Sequence, residues 1–225
     1  MSKYTDYCLV LGSKPNSVMP DINPKYIYAA NGAIERGMQY KAIYKNSYLF
    51  SICTTHQLKK KDVYDKVLRA KPDKVILRGH EPTIDVNIRS ISKYETEFVS
   101  GKSQFQLDKH FFGIHTYYTF LIRKRSEKLK TLYNHYFGNY CLFGSSTGLW
   151  TLLYALKNNP NSKIVIAGIG LKEGGHFYGK GHFHNTTAKK DNYLAPKLEK
   201  NYKNKLLTTD IYLAEKLGIE YYQKS

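Results

Sequence analysis

Tyr7-Cys8-Leu9-Val10-Leu11-Gly12-Ser13 is the stretch on which the fold turns. Five residues without a polar break cannot serve a strand that has one wet face, which would alternate. They suit a strand covered on both sides, as in a parallel sheet between helices. The same grammar recurs outward from it. Tyr26-Ile27-Tyr28-Ala29-Ala30 stops at Asn31-Gly32, Lys41-Ala42-Ile43-Tyr44 reads as a third strand with a further short one over 48–53, and Lys74-Val75-Ile76-Leu77-Arg78 stops at Gly79. Lys163-Ile164-Val165-Ile166-Ala167 stops at Gly168, and Ile219-Glu220-Tyr221-Tyr222 reads as a last strand.

Helical periods fall between these runs. Residues 59–70 carry Val63, Val67 and Leu68 at helical spacing, and 115–137 mix apolar and cationic residues with the same period. Ser145-Ser146-Thr147-Gly148 offers capping hydroxyls before Leu149-Trp150-Thr151-Leu152-Leu153, and Thr208-Thr209-Asp210 caps a final helix that Gly218 closes. Residues 170–205 hold Gly, His, Lys, Asn and Tyr with no sustained period, which predicts a lid. Strands alternating with helices predict an α/β fold: one domain over 1–225, with a mainly parallel sheet flanked by helices. Ligands in such folds sit outside the carboxyl ends of the strands.

Composition narrows the class. At 225 residues, 42% hydrophobic and 24% charged, the chain can bury a core, which sets aside disorder and fibres. Its longest apolar stretch, 111–122, is shorter than the ~20 residues that cross a bilayer. The start enters an apolar strand without a secretory pattern, which predicts a cytoplasmic location, and the odd set of Cys8, Cys53 and Cys141 predicts buried thiols in a reduced compartment. Thirty-five Lys+Arg against 18 Asp+Glu give +17, which favours nucleic acid, anionic lipid or an acidic small substrate.

Just past the first strand, Gly12, Ser13, Lys14 and Ser17 combine a glycine, two hydroxyls and a cation. Backbone N–H groups there can face a phosphate or ribose, although an ordinary strand-ending turn reads the same way. Asn31 after the second strand and Asn46 after the third extend the row of polar stops, as residues that can read ribose hydroxyls or a base edge, or simply form turns. Ser146, Thr147 and Gly148 at a helix start add hydroxyls and the positive end of a helix, which suits an anion and equally a plain N-cap.

The order of these parts resembles the bacterial sialyltransferases of glycosyltransferase family 42. The shared features are a strand ending in Gly-x-x-Pro-x-Ser, an Asn after the second strand, and a Ser/Thr-Gly before an apolar helix. A strand ending Gly-Ile, a tyrosine-bearing lid and Thr-Asp before the last helix follow in the same order. The resemblance implies a single Rossmann-like, GT-A-like domain with a flexible lid, no metal requirement, and a CMP-activated sialic acid as donor. It implies donor-nucleotide contacts at Gly12, Ser13 and Asn31, a donor contact at Thr147 and Gly148, and lid tyrosines at Tyr178 and Tyr202 that hold the leaving phosphate. The chain departs from the family in Gly168-Ile169-Gly170, where Gly-Ile-Asp is expected. It departs again at Lys172, where a lid tyrosine is expected, and at Lys205, where the lid histidine that acts as general base is expected. Asn46 is one place out of step.

Such a transfer needs hydroxyls and cations to neutralise the leaving phosphate, and one neutral base for the acceptor proton. Tyr178, Tyr202 and Lys172 suit the first task. His182 and His184, with His176 behind them, suit the second, since imidazole with an unperturbed pKa of ~6.5 is mostly neutral near pH 7. Lys205 serves only if burial depresses its pKa. His176, His182 and His184 could instead supply nitrogens to zinc, or be solvated loop histidines. Arg123-Lys124-Arg125, Lys128 and Lys130, with Lys189, Lys190, Lys197, Lys203 and Lys205, predict either a solvated basic face or a peripheral habit on the anionic inner membrane, where lipid-linked acceptors are glycosylated. The expected partners are thus a CMP-sugar, a glycan acceptor and an anionic membrane surface, with homo-oligomerisation left open. The rivals are a basic nucleic-acid-binding module, for which no binding signature appears, and a transferase that uses another CMP-linked ulosonic acid or another nucleotide sugar.

Overall fold

A computed structural model of the chain describes residues 6–14, 16–79, 90–121, 128–129, 132–133, 144–171 and 185–223. Its strands form one open, all-parallel sheet of eight: β1 (Tyr7–Leu11), β2 (Pro24–Ala30), β3 (Tyr48–Thr54), β4 (Lys74–Arg78), β5 (Glu95–Val99), β6 (Lys163–Ala167), β7 (Leu206–Thr208) and β8 (Glu220–Tyr221). Their spatial order is β5-β4-β3-β2-β1-β6-β7-β8. The chain winds outward from β1 to β5, returns to the other side of β1, and winds the opposite way. The reversal lies between β1 and β6, which pair from Tyr7↔Lys163 to Leu11↔Ala167. In an open α/β sheet that point is where a crevice forms. The architecture is Rossmann-like.

The central strand shows why its sequence reads as an unbroken apolar run. Cys8 and Val10 enter one core, with Trp150, Leu153 and Phe111, while Leu9 and Leu11 enter the other, with Ile34, Val67 and Leu49. Helices α1 (Ile34–Ile43), α2 (Thr55–Leu58) and α3 (Lys61–Ala70) serve the second face. Helices α4 (Gly101–Phe112), α6 (Thr147–Asn158) and α9 (Ile211–Leu217) serve the first, and α5 (His115–Tyr118) follows α4. The two described thiols are buried, which pushes Cys8 up to about 11 and Cys53 up to about 12, so both are protonated and inert at neutral pH.

Two expectations need correction, and part of the segment expected as a lid is described. Residues 41–43 are the end of α1 and Tyr44 is its C-cap, not a strand: the helix buries Ile34, Gly37 and Tyr40 at a helical period and leaves Ile43 71% exposed. The third strand is 48–54, so Asn46 and Ser47 precede it. Ser47 donates to the Pro24 carbonyl at 2.5 Å, which fixes both residues at the amino edge of the sheet. Within the expected lid, residues 185–205 are the crossover from β6 to β7. Helix α7 (Asn185–Leu194), a 3-10 turn (Ala195–Lys197) and α8 (Lys200–Lys203) bury Leu194, Ala195 and Leu198 in the first core. Residues 172–184 of that segment lie outside the described residues. The expected helix over 115–137 appears as α5 and as helical residues at 128–129 and 132–133.

Candidate functional site at the sheet switch point

At the carboxyl ends of β1 and β6 two glycines meet. Gly12 N donates to Ala167 O at 2.8 Å and Lys14 N to Gly168 O at 2.8 Å, which zips the two strand tips together. A Cβ on Gly12 would collide with the Gly168 carbonyl, and one on Gly168, where φ is +77°, would lie 2.6 Å from the Gly12 carbonyl oxygen. Only glycine admits this approach, and it leaves bare backbone at the mouth of the crevice.

Cations and hydroxyls surround that seam. The Lys14 ammonium pairs with Asp210, and its carbon chain lies along Gly170, where a Cβ would be 3.4 Å from Lys14 Cδ. Asp210 also caps α9 by accepting from Leu213 N at 3.0 Å. Arg36 donates to the Ser17 hydroxyl and, at 3.3 Å, to the Lys14 carbonyl; burial lowers its pKa. Thr209 Oγ1 donates to the Val18 carbonyl at 2.7 Å and so ties the tip of β7 to the same loop. Ser13 stands half-buried between Gly12 and Lys14.

The amino end of α6 reaches the seam from above. Ser146 is its N-cap, accepting from Leu149 N at 3.3 Å, and a Cβ on Gly148 would touch the Ile169 side chain at 3.8 Å. Ser146, Thr147 and Gly148 therefore adjoin the Gly168-Ile169 turn, and the first-turn amides of α6 face outward with the positive end of the helix dipole. On the next strand, Asn31 holds a left-handed backbone, φ 51°, at the tip of β2. Its Oδ1 is buried and has no partner among the described residues. Gly12, Ser13, Ser17, Asn31, Ser146, Thr147 and Gly148 thus occupy adjoining carboxyl-edge positions.

Behind α6 lies a buried polar cluster that sequence reading missed. Asp108 accepts from Ser145 Oγ at 2.5 Å and from Ser145 N at 3.3 Å, and Asp191 accepts from Ser146 N at 2.8 Å. The Arg78 guanidinium, at the tip of β4, lies 4.6 Å over the Trp150 ring and donates to Gln104 at 3.1 Å. Burial pushes Asp108 up to about 6 against the opposing pull of Ser145 and Arg78, and raises Asp191 as well. The two carboxylates fix the backbone just ahead of the α6 amides. Their one sequence signal is that each is the single acid of its helix, α4 or α7.

Other expected site residues stand elsewhere. Asn46 is exposed at the amino edge. Lys205 donates to the Pro160 carbonyl at 2.8 Å, and its own carbonyl accepts from Ile164 N, both at that same edge. Tyr202 sits in α8, which feeds the amino end of β7, and packs its ring on Phe111 at 4.8 Å and on His110. The chain reaches β7 through a helix that the composition of 170–205 conceals, so these residues precede the strand. Lys172, His176, Tyr178, His182 and His184 lie outside the described residues. Among the described residues no group of three or more His, Cys, Asp or Glu is placed to hold a metal ion, and no helix is long and apolar enough to cross a membrane.

No family model, curated protein or solved structure matches the chain.

Proposed function

We propose that the protein is an inverting glycosyltransferase that moves sialic acid from a CMP donor to a hydroxyl of a bacterial surface glycan, with the nucleotide seated on the Gly12–Gly168 seam. The observation that carries this reading is the bare glycine contact at the switch point, flanked by Lys14, Arg36 and the amino end of α6. A nucleoside monophosphate needs close backbone approach for its phosphate and cations for its charge, and this edge offers both. The unpartnered Asn31 Oδ1 asks for a donor, which a ribose hydroxyl or the exocyclic amine of cytosine supplies. Uracil presents an acceptor where cytosine presents that amine, and a buried oxygen facing an acceptor is costly.

In the proposed reaction the acceptor hydroxyl oxygen bonds to the anomeric carbon as the bond from that carbon to the phosphate oxygen breaks. The bonding pair leaves with CMP. The acceptor proton goes to a neutral imidazole, His182 or His184, since Lys205 stands at the far edge. Lys14 and the Thr147 and Gly148 amides steady the charge gathering on the phosphate, with Tyr178 and Lys172 of the 172–184 segment as further donors. No step calls for a metal.

Thermal denaturation with CMP, UMP and GMP tests the reading. CMP should raise the melting temperature while UMP and GMP do so much less; equal shifts, or none, would count against it. The charge of +17 favours a second reading, a nucleic-acid-binding module, in which oligonucleotides bind with a steep salt dependence and CMP does not bind.

A further inference from the structure

The segment from Ile114 to Leu121 is inside out. Helix α5 and its flanking residues turn Thr116 and Thr119 fully inward, while Ile114 (63%), Tyr117 (42%), Tyr118 (41%) and Leu121 (62%) are exposed. These four recur at i, i+3, i+4 and i+7, the spacing of one helical stripe. Inside, Thr119 Oγ1 donates to the Thr116 carbonyl at 2.7 Å and accepts from Gly144 N at 3.2 Å, and Thr116 Oγ1 is buried without a partner among the described residues. A stripe that buries hydroxyls and shows water an isoleucine, a leucine and two tyrosines is in its stable orientation only if something apolar meets it.

Cations surround the stripe. Lys109 lies 5.7 Å over the Tyr117 ring and Lys128 5.6 Å over Phe120. Tyr118 meets Tyr193 edge-on at 6.5 Å, and Lys197 lies 5.9 Å over Tyr193. Residues 100–121 contain a single acid, Asp108, and it is buried, so the exposed part of this segment bears Lys102 and Lys109 with no carboxylate.

We infer that the face formed by Ile114, Tyr117, Tyr118 and Leu121 docks the protein on an anionic lipid bilayer. Isoleucine and leucine enter the acyl boundary, the tyrosines lie at headgroup depth, and the lysines meet lipid phosphate. The charges oppose self-pairing, because two copies would bring +17 against +17. A nucleic acid would use the lysines and tyrosines and leave Ile114 and Leu121 in water. An anionic bilayer engages the whole face, apolar stripe and lysines together. The inference is independent of the nucleotide reading.

Co-sedimentation of the whole chain with vesicles tests it, using phosphatidylcholine alone and phosphatidylcholine mixed with phosphatidylglycerol. The protein should bind the mixed vesicles, with affinity falling as salt rises, and bind phosphatidylcholine weakly. The double variant Ile114→Ser, Leu121→Ser should lose at least about tenfold in partitioning with an unchanged melting temperature, since both side chains are already exposed. Lys109→Gln with Lys197→Gln, which leaves the apolar stripe intact, should lose about fivefold or more. Failure to bind the mixed vesicles, equal binding to phosphatidylcholine, or full retention in both double variants would overturn the inference. So would a dimer or an oligonucleotide complex that the first double variant abolishes.

Discussion

Gly12 and Gly168 close on each other across the β1/β6 seam so tightly that neither has room for a methyl group. The strand order reverses at that seam, so this close backbone contact coincides with the crevice where the nucleotide is proposed to sit. Gly168→Ala must place a Cβ at 2.6 Å from the Gly12 carbonyl while holding φ at +77°. The backbone conformation alone costs ~1–2 kcal/mol, and the collision adds to it. The urea midpoint should fall at unchanged slope; a midpoint equal to that of the parent would mean that the seam opens without penalty.

Lys14 pairs with Asp210 at the seam. Lys14→Met keeps the carbon chain that lies on Gly170 and removes the charge, so CMP affinity should drop by about tenfold, the worth of one charge-assisted hydrogen bond. Asp210→Asn retains an oxygen to cap α9 while releasing Lys14, and should leave CMP affinity equal or tighter. Titration calorimetry on both variants reads the result. Undiminished affinity in the methionine variant would remove Lys14 from the site.

Asp108, pushed up to about 6 by burial, gives stability a defined pH signature. Its folded pKa lies above the unfolded value of ~3.9, so the folded state binds the extra proton. The stabilisation is complete below pH ~4 and is lost as pH rises through about 6, at up to about 1.4 kcal/mol per pH unit. Asp108→Asn keeps an acceptor for Ser145 and cannot titrate. The stability of the parent relative to this variant should therefore decline between pH 4 and 6 and then level off. A flat difference across that range would place the ionised carboxylate comfortably in the core.

Much of the fold is legible in the chain because buried parallel strands announce themselves. The stretches 7–11, 26–30, 74–78 and 163–167 are apolar runs closed by glycine or asparagine, and each is a strand. The failures have physical causes. Lys41-Ala42-Ile43-Tyr44 is too short for period alone to separate strand from helix, and its apolar residues are the exposed ones. Glu95-Thr96-Glu97-Phe98-Val99 is an edge strand, so its polar alternation hides it. Misplacing the third strand by a few residues moved Asn46 to the wrong edge, because the two ends of a strand lie on opposite sides of a sheet. The Arg78, Asp108 and Asp191 cluster was invisible because its members come from β4, α4 and α7, which only the folded chain brings together.

In the proposed reaction His182 and His184 serve proton transfer, not nucleotide binding or metal coordination. Replacing either by alanine should lower kcat while CMP affinity stays within about twofold, and EDTA should leave both quantities intact. If both variants turn over at the parent rate, the base lies elsewhere. If EDTA abolishes activity, the histidines belong to a metal site.

The nucleotide assignment is tested most directly by a crystal structure of the chain with CMP. The phosphate is expected on the Gly12–Gly168 seam, within hydrogen-bonding reach of Lys14 and the Thr147 and Gly148 amides, with Asn31 Oδ1 accepting from the nucleoside. A CMP bound at the amino edge near Asn46 or Lys205, or a seam left empty at saturating CMP, would contradict it.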